Sequence, residues 1–276
     1  MEHDGVSLAA PRRSRVAAHA RFFVDAIRTN LLIALEYRVS LFSQVFGMLL
    51  NDIIWIVFWA LFFQRFPVMP NWTMQDVLAM WAMTGAGFGL SMGFFGNVNQ
   101  LARIIAQGEL DYYLALPKNV LLHVLVSHMD LPALGDILFS VGLFVIFLRP
   151  TPERIVLFIV LALCAAAIFL GFYITVGSLA FWMGNAEGLT LQLSNGLITC
   201  ATYPSPLFRG AIKLILMTVV PAWYIAHLPT ALLRSFDAGG LLAEAGMAAL
   251  LLAVGVAVFY RGLRRYESGN LMVLRS

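Results

Sequence analysis

The chain has 276 residues, of which 61% are hydrophobic and only 12% charged, about half the charged share of roughly 25% in ordinary soluble proteins. Mean hydropathy is +0.83. A soluble domain of this size lacks the interior to hide so much apolar surface, which excludes a soluble enzyme, a nucleic-acid-binding module and a disordered chain. The apolar residues fall in runs near the ~20 residues that cross a hydrocarbon core of about 30 Å. A transmembrane β-barrel would instead show alternating segments of about ten residues. The expected fold class is therefore all-α, a polytopic membrane protein. The net charge of +3 is small, so the placement of charges carries the information. Cys164 and Cys200 lie in apolar stretches and exclude a disulfide scaffold.

In chain order, residues 1–16 read as a disordered cytoplasmic tail. No apolar region follows its basic cluster, so no cleaved signal peptide is expected. Residues 17–38 repeat Phe23, Ile27, Leu31, Ala34 and Leu35 at helical spacing, the pattern of an amphipathic helix in the membrane interface. The alternative is an extension of the first span. That span covers about 40–63 and carries Asn51 and Asp52 near its middle. Pro67 and Pro70 stop it. The second span, about 76–98, sets Gly85, Gly89 and Gly93 at four-residue spacing, a face that admits a neighbouring helix closely or lines a pathway. A polar break over 99–119 precedes the third span, about 120–148, which contains His123, His128, Asp130, Pro132 and Asp136. The fourth span is about 155–181 and the fifth about 188–203. The Tyr203-Pro204-Ser205-Pro206 break, Pro221 and Pro229 leave 207–234 too interrupted for a comfortable crossing. This stretch reads as re-entrant helices, tolerated at depth when packed against protein. The last span is about 240–260, and 266–276 forms a tail.

Lys and Arg concentrate before the first span, in the 99–119 loop and after the last span. By the positive-inside rule both termini are cytoplasmic and the number of spans is even; six fits. Arg209 and Lys213 fit the outer side poorly. If they are inside, the fifth crossing is about 214–233 and 188–206 forms an inner hairpin.

No Gly-Lys-Ser/Thr phosphate loop, HExxH pair or GxSxG elbow occurs. No catalytic residue and no metal site is expected, and His123, His128 and Asp130 spread around their helix instead of sharing a face. Ionisable groups within spans are costly in lipid and mark functional candidates. Asp52, Asp130 and Asp136 are those candidates, either in a polar path or ion site, or buried between helices with polar partners. Gly108-Glu109-Leu110-Asp111-Tyr112-Tyr113-Leu114 is a short amphipathic element closed by Pro117. It reads either as a docking element or as a loop helix resting on the membrane.

With these segments in order, the chain resembles the permease subunits of bacterial ABC-2 type exporters. The resemblance is carried by the interfacial helix, the "GELDYYLALP" segment, Asp130 with Asp136, the "YPSPLF" break, and Pro221 with Pro229. It covers about residues 20–265 and implies one transmembrane domain over 17–265, of the ABC-2 or type V exporter kind. It also implies six spans, a bacterial plasma-membrane location and cytoplasmic ABC ATPase partners. ATP and Mg would be bound by those partners, with no cofactor in this chain. A second permease would complete the assembly, a heterodimer being favoured over a homodimer. The resemblance makes 106–116 the ATPase-coupling element, with Gly108 to Leu114 at its heart. Tyr203, Pro204, Pro206, Pro221 and Pro229 would form an outer gate. Asn51, Asp52, Gly85, Gly89 and Gly93 would stand near the translocation path, and His128, Asp130 and Asp136 would make a polar third span. The expected function is the membrane subunit of an ATP-driven exporter of a drug, lipid, glycan or ion. The alternatives are an ion-coupled secondary transporter using intramembrane Asp residues and an intramembrane enzyme using His128 and Asp130.

Overall fold

A computed structural model describes residues 12–66, 72–183, 186–208, 210, 215 and 220–266, with side chains from residue 17. Helix α1 spans Arg12–Glu36. The disordered-tail expectation for 1–16 is thus corrected from Arg12 onward, because Arg and Ala after Pro11 favour helix and no breaker interrupts them; residues 1–11 lie outside the described residues. Helix α2 spans Arg38–Arg65. Tyr37 separates the two with non-helical φ −98° and ψ 44°, so α1 is a helix of its own and not the start of the first span. One side of α1 packs on the bundle through Ala34 and through Phe23, which stacks on Phe95. The other side exposes Val24, Leu32, Ile33 and Leu35, as an interfacial helix does.

Helix α3 spans Met74–Phe94 and opens with a capping box between Thr73 and Asp76. A 3₁₀ turn, Gly96–Gln100, leads into α4, Leu101–Ala106, and α5, Leu110–Leu114. Helices α6, Val120–Val126, and α7, Ala133–Phe147, occupy the expected third span. That span is corrected from one helix to two. Pro132 has no N–H to donate to the His128 carbonyl and its ring would clash with it, so the chain leaves helical geometry between them. Helix α8 spans Pro152–Gly177 and ends in a 3₁₀ turn, Ser178–Phe181. Helix α9 spans Glu187–Thr202. After Pro204 comes a 3₁₀ turn, Ser205–Leu207. A π-turn, Trp223–His227, then runs into α10, Leu228–Arg234, and the chain closes with α11, Ala238–Leu263.

Among the described residues four helices are long and apolar enough to cross a membrane: Arg38–Arg65, Met74–Phe94, Pro152–Phe181 and Ala238–Leu263. Helices α7 and α9 have 15 and 16 residues. At 1.5 Å per residue they reach roughly 22–24 Å, short of the ~30 Å core. Both pack alongside the long helices, α7 against α2 and α3, and α9 against α8 and α3.

Small residues set the helix spacing. A Cβ on Gly87 would come within 2.7 Å of the Ala165 Cβ, and one on Gly89 within 2.6 Å of Ile137 Cγ1, so α3 wedges between α8 and α7. A Cβ on Gly171 would strike the Leu251 carbonyl and one on Gly255 would come within 2.7 Å of the Gly171 oxygen, which brings α8 and α11 into backbone contact. Helix α3 is the centre of the molecule, with most of its residues buried, whereas α2 and α11 bury few of theirs.

Candidate functional site

Helices α2, α3, α7 and α9 enclose a cavity of about 280 Å³. Its lining combines Asn51, Asp52 and Trp55 from α2, Trp81, Thr84, Gly85 and Phe88 from α3, Asp136 and Phe139 from α7, and Thr199, Thr202 and Tyr203 at the end of α9. The α3–α9 wall is tied by the Thr84 hydroxyl, which donates to the Ala201 carbonyl at 3.1 Å. Trp55 and Trp81 stack at 5.9 Å and 27°, and Tyr203 meets Trp55 edge-on at 6.4 Å. Asp52 is 3% exposed and Asp136 is 5% exposed. Asp52 shares a hydrogen bond with Asn51, but Oδ2 of each aspartate has no partner among the described residues.

Of the residues expected near the translocation path, Asn51, Asp52 and Gly85 line this cavity together with Asp136 and Tyr203. Gly89 and Gly93 do not: they lie against Ala133, Leu134 and Ile137 and serve the α3–α7 contact. The three polar residues of the expected third span separate for the same reason that its helix breaks. Asp136 sits on α7 in the cavity. His128 is exposed and borders a different hollow with Asn30 of α1 and Tyr37. Asp130 lies in the break, where its N–H donates to the Met92 carbonyl at 3.3 Å, and a Cβ on Gly96 would come within 2.6 Å of that nitrogen. Among the described residues no group of three or more His, Cys, Asp or Glu could hold a metal ion.

The expected gate residues gather at the far end of this cavity. Tyr203 packs against Trp59 at 5.7 Å, and Pro204 turns the chain out of α9. The Trp72 indole N–H donates to the Ser205 hydroxyl at 3.2 Å, beside Pro206, and the Trp72 ring meets His227 at 5.7 Å. Pro221 opens the π-turn by accepting from Tyr224. In that turn the Leu228 N–H reaches Trp223, five residues back. The wide turn accommodates Pro229, which cannot donate to Ile225. Ile225 and Ala226 are fully buried, so this turn packs into the protein. Arg234 pairs with buried Asp76, its Nε donating to Oδ1 at 2.9 Å. Arg209 and Lys213 lie outside the described residues.

The opposite end carries α5. Gly108 takes φ 76°, the left-handed conformation glycine adopts without strain, and turns the chain out of α4. Leu110 is fully buried and anchors the element, while Tyr112 is 67% exposed. Arg103 holds Glu109 at 2.6 Å. The Tyr113 hydroxyl lies 3.1 Å from that of Ser127, and the ring meets His123 edge-on at 5.0 Å. Phe22 of α1 meets the same imidazole at 5.1 Å. From the end of α11, the Tyr266 phenol is pushed up from its ordinary pKa by burial and then by the Asp111 carboxylate. Elements from the beginning, middle and end of the chain thus meet at α5, with Leu114 part-exposed beside Tyr112.

Sequence reasoning named Asp52 and Asp136 but missed Glu244, a fully buried carboxyl on α11 with neither oxygen partnered. Its signal was available, a lone acid inside an apolar helical run. Trp81, Thr84, Phe139, Thr199 and Thr202 had no such signal, because only the assembled bundle turns them toward one space.

The family model described as "ABC-2 family transporter protein" matches residues 49–269. That match covers most of the chain, and the protein belongs to the ABC-2 transporter family. It is a multi-pass membrane permease of an ABC transporter, a family whose permeases generally work with ABC ATPase subunits and carry no ATPase of their own. Neither the curated proteins nor the solved structures gave a match.

Proposed function

We propose that this chain is the membrane-spanning half of an ATP-driven exporter, energised by separate cytoplasmic ATPase subunits that dock on α5. The observation that carries this reading is the construction of α5. A buried Leu110 fixes it, and contacts from α4, from α6 and from Tyr266 beyond α11 brace it, with Phe22 of α1 meeting α6 behind it, while Tyr112 and part of Leu114 stay exposed. A push on the exposed face is therefore delivered to several helices at once. ATP and Mg are held by the partner, and no energy-converting motif is needed here. The moving helices are those around the Asp52–Asp136 cavity, which forms part of the path. The Tyr203–Pro229 region closes its outer end.

Charge placement supports the orientation. Arg21, Arg28, Arg38, Arg103, Lys118, Arg261, Arg264 and Arg265 lie at the α5 end, against Arg65, Arg149, Arg154 and Arg234 at the other. This makes the α5 end cytoplasmic in a bacterial plasma membrane, with both termini inside and α7 and α9 completing six spans. The apolar exposed faces of α2 and α11 leave room for a second permease, a different chain in our reading.

The test is affinity purification of the tagged chain in mild detergent. A stoichiometric ATPase is expected, together with a second permease. Tyr112→Ala with Leu114→Ala should cut ATPase capture at least tenfold while leaving the chain's elution profile unchanged. Transport that persists without any ATPase and collapses with a protonophore would favour ion coupling and defeat the proposal.

A further inference from the structure

The cavity between α2, α3, α7 and α9 faces two carboxyl groups into a space whose lining, among the described residues, includes no Lys, Arg or His. Asp52 and Asp136 are each more than nine-tenths buried, and each has an oxygen without a hydrogen-bond partner. Burying such groups unmatched is costly, so an arrangement of this kind is suited to an occupant of opposite charge. The rest of the lining says which sort. A hard divalent cation needs about six oxygen ligands, and among the described residues no group of three or more acidic, His or Cys side chains gathers here to anchor one. The walls are aromatic: Trp55 stacks on Trp81, with Phe88, Phe139 and Tyr203 around them. Aromatic faces attract a cation and also cover an apolar body. The volume of about 280 Å³ lies just below the roughly 300–1,000 Å³ of small-molecule sites, which suits a small occupant. An anion would meet two carboxyls and no compensating charge. A neutral molecule would leave both unmatched.

We propose that the cavity binds a small amphipathic organic cation, an ammonium group between Asp52 and Asp136 with its aromatic or alkyl body against Trp55 and Trp81. This assigns a substrate class and rests on the reading of the cavity as part of the transport path. Thr84, Thr199 and Thr202 place hydroxyls around the same space, able to orient the polar end of the molecule.

The probe is benzyltrimethylammonium, titrated into the full chain in nanodiscs and followed by tryptophan fluorescence, since two of the wall residues are tryptophans. The expected result is a saturable change that neopentylbenzene, its uncharged carbon analogue, neither produces nor competes away. Asp52→Asn and Asp136→Asn should each weaken binding tenfold or more. Glu244→Gln neutralises a buried carboxyl outside the cavity and should leave binding unchanged. An equal response to the neutral analogue, no saturable response in the folded wild type, or undiminished binding by the double asparagine variant would overturn the proposal. If the asparagine variants fail to elute as the wild type does, the charged-against-neutral comparison on the wild type decides alone. Purification with the ATPase is scored separately. An ATPase-bound chain that ignores the cation defeats this inference and leaves the exporter reading standing; cation binding without any ATPase does the reverse.

Discussion

At the scale of the residue, His123 shows how one side chain joins three elements. It touches Phe22 of α1, Tyr112 and Tyr113 of α5, and belongs to α6. Lys118 lies over the Phe22 ring at 4.1 Å. Burial, and then the Lys118 charge, hold the His123 imidazole below its ordinary value, which is about 6.5. The unfolded imidazole then takes up a proton more readily than the folded one. The neutral ring's contribution is therefore full above about pH 6.5 and is lost as pH falls through the depressed folded value. Amide protection over residues 108–126, the exchange rate taken relative to the intrinsic base-catalysed rate at each pH, should fall between pH 7.5 and pH 5.5. His123→Phe, which keeps an aromatic ring and removes the proton site, should flatten that dependence. A pH effect of equal size in the variant would show that another group titrates.

At the scale of the element, glycines decide which helices touch. Gly171 and Gly255 bring α8 and α11 to backbone contact, whereas Gly142 on α7 has nothing within 4 Å of a would-be Cβ. Forcing atoms into a packed seam costs about 1–3 kcal/mol, while Gly to Ala at an open helical site gains up to about 1 kcal/mol in helix propensity. Gly171→Val should lower the thermal midpoint in detergent by several degrees, and Gly142→Ala should hold or raise it. Similar losses in both would mean that backbone flexibility, not the seam, is what these glycines supply. The same scale explains the divided third span. Its hydropathy reads as one continuous run, but Pro132 denies the helix a donor, and the chain uses the break to dock Asp130 on Met92.

For the whole molecule, the chain's repeated passage between two ends makes a direct prediction about sidedness. In a Cys164→Ser, Cys200→Ser background, Tyr112→Cys in sealed right-side-out vesicles should resist a membrane-impermeant maleimide until the membrane is opened, and Thr151→Cys should react at once. Tyr112 and Thr151 lie at opposite ends of the bundle in the structure, outside the four long apolar helices. Labelling of both from one side would reject an odd number of crossings between them and with it the whole arrangement of ends.

Composition and the spacing of apolar runs determined the class of this protein, because lipid accepts only helices and closed barrels, whose backbone groups are satisfied internally, and runs near 20 residues fit the helix alone. The order of its punctuation determined more: "GELDYYLALP" made α5 legible as an amphipathic element, and Pro204, Pro221 and Pro229 marked the interrupted stretch, because proline and glycine act locally. Only the tertiary structure decided what those parts meet. Asp52, Asp136 and Tyr203 are far apart in the chain and share one cavity, while Gly89 and Gly93, four and eight residues beyond Gly85, are spent on packing. Glu244 turns into the protein and not toward lipid by the rotation of α11 against α8. Such outcomes depend on which helix faces close on one another, and side-chain contacts between distant segments leave no local trace in a single sequence.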